Sequence, residues 1–114
     1  MNSEQDMESW LLDFGDELIH KKSKNGIGAL SALERAVYNL WVIDYAVRNS
    51  GSFGPIHELQ PSAIAELVEY GRSNRLSRLS SWLSAASDEA GFCSSYYENF
   101  EGACAELYKL SGRT

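Results

Sequence analysis

The stretch SALERAVYNLWVIDYAVRNSG, residues 31–51, predicts the helix around which the rest of the chain packs. Ser31 and Glu34 have the spacing of a capping box, in which each side chain accepts a hydrogen bond from the backbone N–H of the other residue. Residues 36–47 then include only two strongly polar side chains. A helix that is apolar on nearly every side is packed by neighbours on several sides. We therefore expect a central helix over 31–48.

Two side chains within this helix have the spacing of an ion pair. Asp44 and Arg48 carry opposite charges and lie four residues apart, so they face each other along one side of a helix. Trp41 falls in the most apolar part of the stretch, and we expect its indole ring to be buried.

The segment NSGSFGP, residues 49–55, follows the central helix and has two interpretations. A phosphate-binding loop of the Walker type needs a strand before it, whereas a helix precedes this segment and Pro55 lacks an N–H donor. The segment also lacks the first glycine of a G-x-S-x-G nucleophile motif. We interpret it as the end of a buried helix, with Phe53 packing back into the core. The alternative is an enzyme or small-ligand protein that uses the 49–57 loop with His57.

The other helices follow from apolar positions that repeat every three or four residues. They are predicted at 4–22, 53–59, 61–70, 73–87 and 94–111. No run of alternating apolar and polar residues predicts a strand. The fold class is therefore all-α: a single compact all-helical domain over residues 1–114, with about five or six helices around the central apolar helix.

The predicted helix over 4–22 has more apolar surface than a terminal helix needs. Its main stripe consists of Met7, Trp10, Leu11, Phe14 and Leu18. Leu12 and Ile19 form a second apolar spot around Gly15. Such a surface is covered either by a neighbouring segment of the chain, such as 25–30, or by a second copy of the protein. The second spot favours a homodimer.

The last predicted helix, over 94–111, has one broad apolar stripe. Tyr97 and Leu110 are expected to belong to this stripe, whereas Glu98 and Glu106 are expected to face away from it. Cys104 is interpreted as a small core residue.

The net charge of −6 is unevenly placed along the chain. Residues 1–19 carry six acidic side chains and no basic one, and residues 88–106 carry five acidic side chains and no basic one. Because an acidic surface repels phosphates, direct binding of nucleic acid is not expected. No apolar run approaches the roughly 18 residues of a membrane span, and the acidic start does not resemble a secretory signal. The two cysteines are expected to be reduced, in a cytoplasmic protein without a membrane partner.

Acidic side chains near both ends of the chain are the candidate partner-binding residues. Asp13, Asp16 and Glu17 share one side of the helix predicted over 4–22. Such carboxylates stand in for phosphates or pair with the Lys and Arg side chains of a basic partner. A face that serves only solubility is the alternative explanation. The full candidate set is Asp6, Asp13, Asp16, Glu17, Asp88, Glu89, Glu98 and Glu101.

The sequence assigns no catalytic, cofactor-binding or metal-binding residue. Glu17 and His20 have the i, i+3 spacing of di-iron helical bundles, but those sites need two such motifs and further carboxylates. The cysteines and histidines of the chain lack the paired spacing of zinc ligands. Arg72, Arg75 and Arg78 form a local basic patch, which we interpret as aliphatic stems that cover an apolar stripe.

Residues 30–53 resemble the bacterial DNA-mimic protein domain family, whose members are small, acidic and all-helical. In that family a Leu-Thr-x-x-Glu-Arg sequence leads into a helix that contains Leu-Trp and ends at Asn-Asn-Gly-Gly-Phe. The matching residues here are Leu30, Ser31, Glu34, Arg35, Leu40, Trp41, Asn49, Gly51 and Phe53. Arg48 and Ser50 replace an Asn and a Gly of the family pattern, and Ser52 is an additional residue. The resemblance implies binding of a protein partner, such as a DNA-binding protein, through surface carboxylates.

Taken together, the acidic surface and the resemblance predict a non-enzymatic protein-interaction module. The expected partner is a basic protein, with a DNA-binding protein as the more specific form. An immunity or antitoxin-like inhibitor would have the same acidic surface, so the sequence does not separate it from this interpretation.

Overall fold

The computed structural model describes residues 6–111, and all regular structure in that range is helical. The α-helices of this range are α1 (Met7–Asn25), α2 (Ala32–Ser50), α3 (Gly54–Leu59), α4 (Ala63–Ser73), α5 (Ser77–Ser84), α6 (Glu89–Ser94) and α7 (Tyr96–Ser111). Short 3₁₀ turns lie at Ile27–Ala29 and Ala85–Ser87. The predicted all-α class is confirmed. Positions 4 and 5 of the first predicted helix lie outside the described residues.

α2 is the central helix that its sequence predicts. The Ser31 hydroxyl accepts the N–H of Glu34 at 3.1 Å, and the Glu34 carboxylate accepts the N–H of Ser31 at 2.9 Å, which completes the capping box. Gly51 ends the helix with φ 65° and ψ 22°, a left-handed conformation that glycine adopts without a Cβ clash. Ten residues of α2 are buried, because α1, α3, α4 and α7 all pack against it.

α1 and α2 form an antiparallel hairpin. Three contacts set its register: Lys21 with Glu34 at 2.9 Å, Gly15 with the Trp41 ring, and Glu8 with Arg48 at 3.5 Å. Gly15 is necessary for the close approach, since a Cβ there would lie 2.8 Å from Trp41 Cγ and closer still to Cδ1. The expectation that the Trp41 ring is fully buried is wrong. Its ring is half-buried because it covers the seam between the two helices.

A cluster of aromatic rings joins the second half of the chain to the end of α2. Trp82 packs against Phe92 and Tyr96 with ring centroids 5.2 and 5.1 Å apart. Phe53, on the loop after α2, is 8% exposed and meets Phe92 edge-to-face at 5.8 Å. The prediction that Phe53 packs back into the core is therefore confirmed.

The boundary between α4 and α5 differs from the prediction. The predicted helix over 73–87 is interrupted, because residues 74–76 form a turn in which Arg75 has a positive φ of 58°. Gly71 does not end α4. It lies buried where α4 meets α5, and a Cβ there would lie 3.0 Å from Ser80 Oγ, so glycine at this position allows close packing.

The C-terminal region contains a short helix, α6, that the sequence does not predict, and the last helix begins at Tyr96 rather than at residue 94. Asp88 begins α6 by accepting the N–H of Gly91 at 3.3 Å. In α7 the predicted apolar stripe is too broad, since Tyr97 is 58% and Leu110 45% exposed. Glu106 does not face away: its carboxylate accepts the N–H of Leu79, at 2.8 Å, in the first turn of α5. That N–H has no partner within its own helix, so α7 caps α5.

Candidate protein-interaction surface

The outer side of α1 carries the acidic strip, which we define as Asp13, Asp16 and Glu17. All three side chains are exposed. Their spacing of three and four residues places neighbouring Cβ atoms about 5–6 Å apart on a helix. Within residues 6–111, no basic side chain lies within ion-pair distance of Asp13 or Asp16. These two carboxylates are therefore available to an external cation.

Asp6, the fourth candidate near this end of the chain, has a structural role. It is the N-cap of α1: its carboxylate accepts the N–H of Glu8 at 3.2 Å and the hydroxyl of Ser9 at 3.1 Å. A carboxylate at this position also interacts favourably with the positive end of the helix dipole. Asp6 is exposed, so its charge still contributes to the surface.

The second candidate group divides into capping residues and surface residues. Asp88 caps α6, and the Glu89 carboxylate accepts the backbone N–H of Phe53 at 2.8 Å. Glu89 therefore holds the 49–57 loop against the aromatic cluster. Glu98 and Glu101, in contrast, are exposed side chains on α7.

α7 packs against α1, and its Cys104 lies at the start of that helix. Burial raises the pKa of the Cys104 thiol, and the carboxylates of Asp44, Glu101 and Asp6 raise this pKa further. Cys104 Sγ also lies 3.9 Å from the backbone oxygen of Met7. Cys104 is therefore the small core residue that the sequence predicts.

Beside the acidic strip lies the apolar patch, which we define as Leu12, Trp41 and Tyr45. Leu12 is 45% and Tyr45 41% exposed, and the rings of Trp41 and Tyr45 stack at 5.4 Å. Leu12 is four residues after Glu8 and three before Gly15, so it is a neighbour of both on the surface of α1. Tyr45 is four residues after Trp41 and three before Arg48, so it is a neighbour of both on α2. Because the hairpin is antiparallel with Glu8 at Arg48 and Gly15 at Trp41, its register places Leu12 beside Tyr45.

Part of the second apolar spot that the sequence predicts around Gly15 is covered in the structure. Gly15 is buried under Trp41, and Ile19 is partly buried against the core. Gly15 is therefore covered by α2, and Ile19 is partly covered within the monomer. Leu12 is the residue of the spot that stays largely exposed.

Arg48 closes one end of the apolar patch. Its guanidinium donates to Asp44 at 2.7 Å, which confirms the predicted pair, and it lies 4.7 Å from the centroid of the exposed Tyr97 ring. Tyr96 donates its hydroxyl to the same Asp44 carboxylate at 2.6 Å. Burial, together with that carboxylate, raises the pKa of Tyr96. The buried charge of Asp44 is thereby compensated, and the Arg48 side chain is fixed at the surface.

A polar network that the sequence analysis does not identify joins α2 to α4. Glu66 accepts two hydrogen bonds from Arg35, each at 2.7 Å, and further bonds from Asn39 at 3.0 Å and Ser62 at 2.7 Å. Gln60 donates to the buried Asn39 at 3.2 Å. The bidentate Arg35 pair is the main cause that lowers the pKa of Glu66 from 4.5 to about 2. This network is structural, since its members satisfy one another.

The loop proposed in the alternative enzyme interpretation lines neither of the two pockets described here. One pocket, of about 570 Å³, lies between α5 and α7 and includes Arg78, Trp82 and Glu98. The other, of about 210 Å³, lies beside the Arg35–Glu66 pair. His57 is exposed, and Phe53 fills the core next to its loop.

The remaining candidate groups show no shared site. Among residues 6–111, no three His, Cys, Asp or Glu side chains form a group that could hold a metal ion. In the basic patch, Arg72 pairs with Glu69 at 3.2 Å and Arg78 lies against Gly102. Cys93 and Cys104 are free thiols on different helices. None of the helices in the described range has the length and apolar character required to cross a membrane.

Comparison of the chain with protein-family models, with curated proteins and with solved structures finds no match.

Proposed function

We propose that this protein is a non-enzymatic interaction module that binds a basic protein through the acidic strip on α1. The observation that carries the proposal is the pair of exposed carboxylates, Asp13 and Asp16, that lack a basic partner within the described residues. Carboxylates with structural roles, such as Glu66, are instead surrounded by donors. A partner that supplies Lys or Arg would complete the two unpaired positions.

The more specific form of the proposal is that the basic partner is a DNA-binding protein. The support is the resemblance of residues 30–53 to the DNA-mimic family, together with the overall charge of −6. Surface carboxylates would then occupy positions that the partner normally offers to phosphates. The cytoplasm, where such partners are found, is the proposed location.

The proposal is tested with two variants that remove equal charge. Asp13→Asn/Asp16→Asn neutralises the strip, while Glu58→Gln/Glu69→Gln neutralises two exposed carboxylates elsewhere. Both variants and the wild type are immobilised and exposed to extract from the native cell, and the bound proteins are quantified at low and high salt. We expect the first variant alone to lose a basic, salt-sensitive partner. Equal recovery by all three proteins contradicts the proposal.

The homodimer predicted from the second apolar spot is a separate proposal, supported by the exposure of Leu12. Light scattering across micromolar concentrations tests it. A mass above the 12.7 kDa of one chain supports the dimer, and Leu12→Glu would then restore the monomer. A constant mass near 12.7 kDa contradicts it.

A further inference from the structure

We infer that the partner segment that this surface takes is a basic amphipathic helix, whose apolar side covers Leu12 and Tyr45 while its cations face Asp13 and Asp16. The inference rests on the proposed function and adds the chemistry of the partner. A basic surface without an apolar side would satisfy the acidic strip alone. The apolar patch beside the strip favours a partner segment that also has an apolar side.

Leu12 lies next to the acidic strip on α1. Asp16 follows Leu12 by four residues, so the two side chains are neighbours on one side of the helix. Asp13 lies further around the helix than Asp16, so it is further from α2. An approaching segment therefore meets an apolar row on the side toward α2 and an acidic row on the side away from it.

The apolar patch is exposed to solvent. Leu12 and Tyr45 are each more than two-fifths exposed, at 45% and 41%, and Trp41 offers a ring fixed by stacking on Tyr45. Rigid aromatic side chains beside an aliphatic one are typical of residues that anchor a partner. Because Trp41 is held over Gly15, the patch needs little rearrangement to bind.

The charged groups around the apolar patch favour a basic partner. On its outer side lie Asp13 and Asp16, and at one end the cation of Arg48 is already paired with Asp44 and Glu8. At the other end, the ammonium of Lys22 lies 5.6 Å from the centroid of the Tyr38 ring, which stacks on Trp41. The charge next to Leu12, from Asp13 and Asp16, is thus negative. An acidic or neutral amphipathic helix would leave these carboxylates without partners, whereas a basic one pairs with them.

The experiment uses two synthetic peptides with the same length and the same Leu and Lys content. In one peptide the leucines repeat every three and four residues, so that a helix is apolar on one side; in the other the order is shuffled. Binding of each to the full chain is measured by fluorescence anisotropy. We expect the amphipathic peptide to bind about tenfold more tightly than the shuffled one, from partial burial of Leu12 and Tyr45.

Matched variants separate the two contributions. Leu12→Ser should abolish the preference for the amphipathic peptide, whereas Leu59→Ser, at an equally exposed leucine on α3, should retain it. Asp13→Asn/Asp16→Asn should weaken binding of both peptides. Circular dichroism verifies that each variant is folded.

Three results would overturn the inference, and they differ in what they mean for the proposed function. Equal binding of the two peptides to the wild type leaves a basic partner in place but removes the amphipathic one. No binding of either peptide contradicts both proposals. If Leu12→Ser instead converts a dimer into a monomer, the apolar patch is covered by a second copy of the chain.

Discussion

Glu66→Gln tests whether the polar network between α2 and α4 stabilises the fold. The substitution keeps the shape of the side chain and removes its charge. The wild-type carboxylate accepts two hydrogen bonds from Arg35 and one each from Asn39 and Ser62. Glutamine keeps one acceptor oxygen and presents an NH₂ group to Arg35, so the bidentate ion pair is lost.

The magnitude follows from the pKa of Glu66. A fall from 4.5 to about 2 corresponds to at most about 3.4 kcal/mol at about 1.36 kcal/mol per pKa unit. The side chains of Arg35 and Glu66 are 38% and 30% exposed, so solvent screens part of this energy. We expect Glu66→Gln to lower the free energy of unfolding by about 2 kcal/mol at pH 7.

The direction of the pH dependence is fixed by the lowered pKa. The folded state holds Glu66 ionised at pH values where the unfolded chain already binds a proton. The stabilisation is complete above about pH 5, and it is lost as the pH falls toward the folded pKa of about 2. The difference in stability between wild type and Glu66→Gln should therefore shrink over this range.

Urea denaturation followed by circular dichroism, repeated from pH 7 to pH 3, measures this difference. Glu58→Gln, at an exposed glutamate on α3, serves as the control and should change the unfolding free energy little at pH 7. A difference below about 0.5 kcal/mol at pH 7 would refute the assignment of a stabilising network. So would a difference that stays constant as the pH falls.

Three further substitutions test the packing of α2, each by urea denaturation. Tyr96→Phe removes the hydroxyl that donates to the buried Asp44 carboxylate and should cost about 1.5–3 kcal/mol; no loss would mean that the bond contributes nothing. Ser31→Ala removes half of the capping box and should cost about 1 kcal/mol, whereas an unchanged stability would contradict its role. Gly15→Val forces the Trp41 ring away from α1 and should cost about 2 kcal/mol; a more stable variant would show that the contact is not tight.

The features that the sequence predicts correctly are those encoded by neighbouring residues. The capping box at Ser31, the end of the central helix at 49–51 and the pair between Asp44 and Arg48 each involve residues at most four positions apart. Helix periodicity is local in the same sense, which is why the all-α class and the central helix are predictable.

The features that it does not predict depend on contacts between distant parts of the chain. Glu66 meets Arg35 across 31 positions, and Glu89 reaches the N–H of Phe53 across 36. Such pairs become neighbours only once the helices have packed. The half-exposed Trp41 has the same origin, since its burial depends on how closely Gly15 lets α1 approach.

For the candidate surface, the sequence identifies the carboxylates but not their separate roles. Asp6 and Asp88 begin helices, and Glu89 fixes a loop. Asp is a typical N-cap residue, but the first helix is predicted to begin at residue 4 and no helix is predicted at α6, so the capping roles of Asp6 and Asp88 are missed. The sequence places Leu12 outside the main apolar stripe of the first helix. Its position beside Tyr45 follows only from the register of the hairpin that α1 and α2 form.

The central claim is that a basic protein binds the acidic strip on α1, and site-specific photo-crosslinking in the native cell tests it most directly. A photoreactive residue is placed at Ser9, which is exposed on the same side of α1 as Asp13 and Asp16, or at the exposed Ser84 on α5. We predict that the residue at position 9 alone captures a basic protein and that high salt or Asp13→Asn/Asp16→Asn reduces the capture. Capture of the same proteins from both positions, or of proteins without a basic surface, would contradict it.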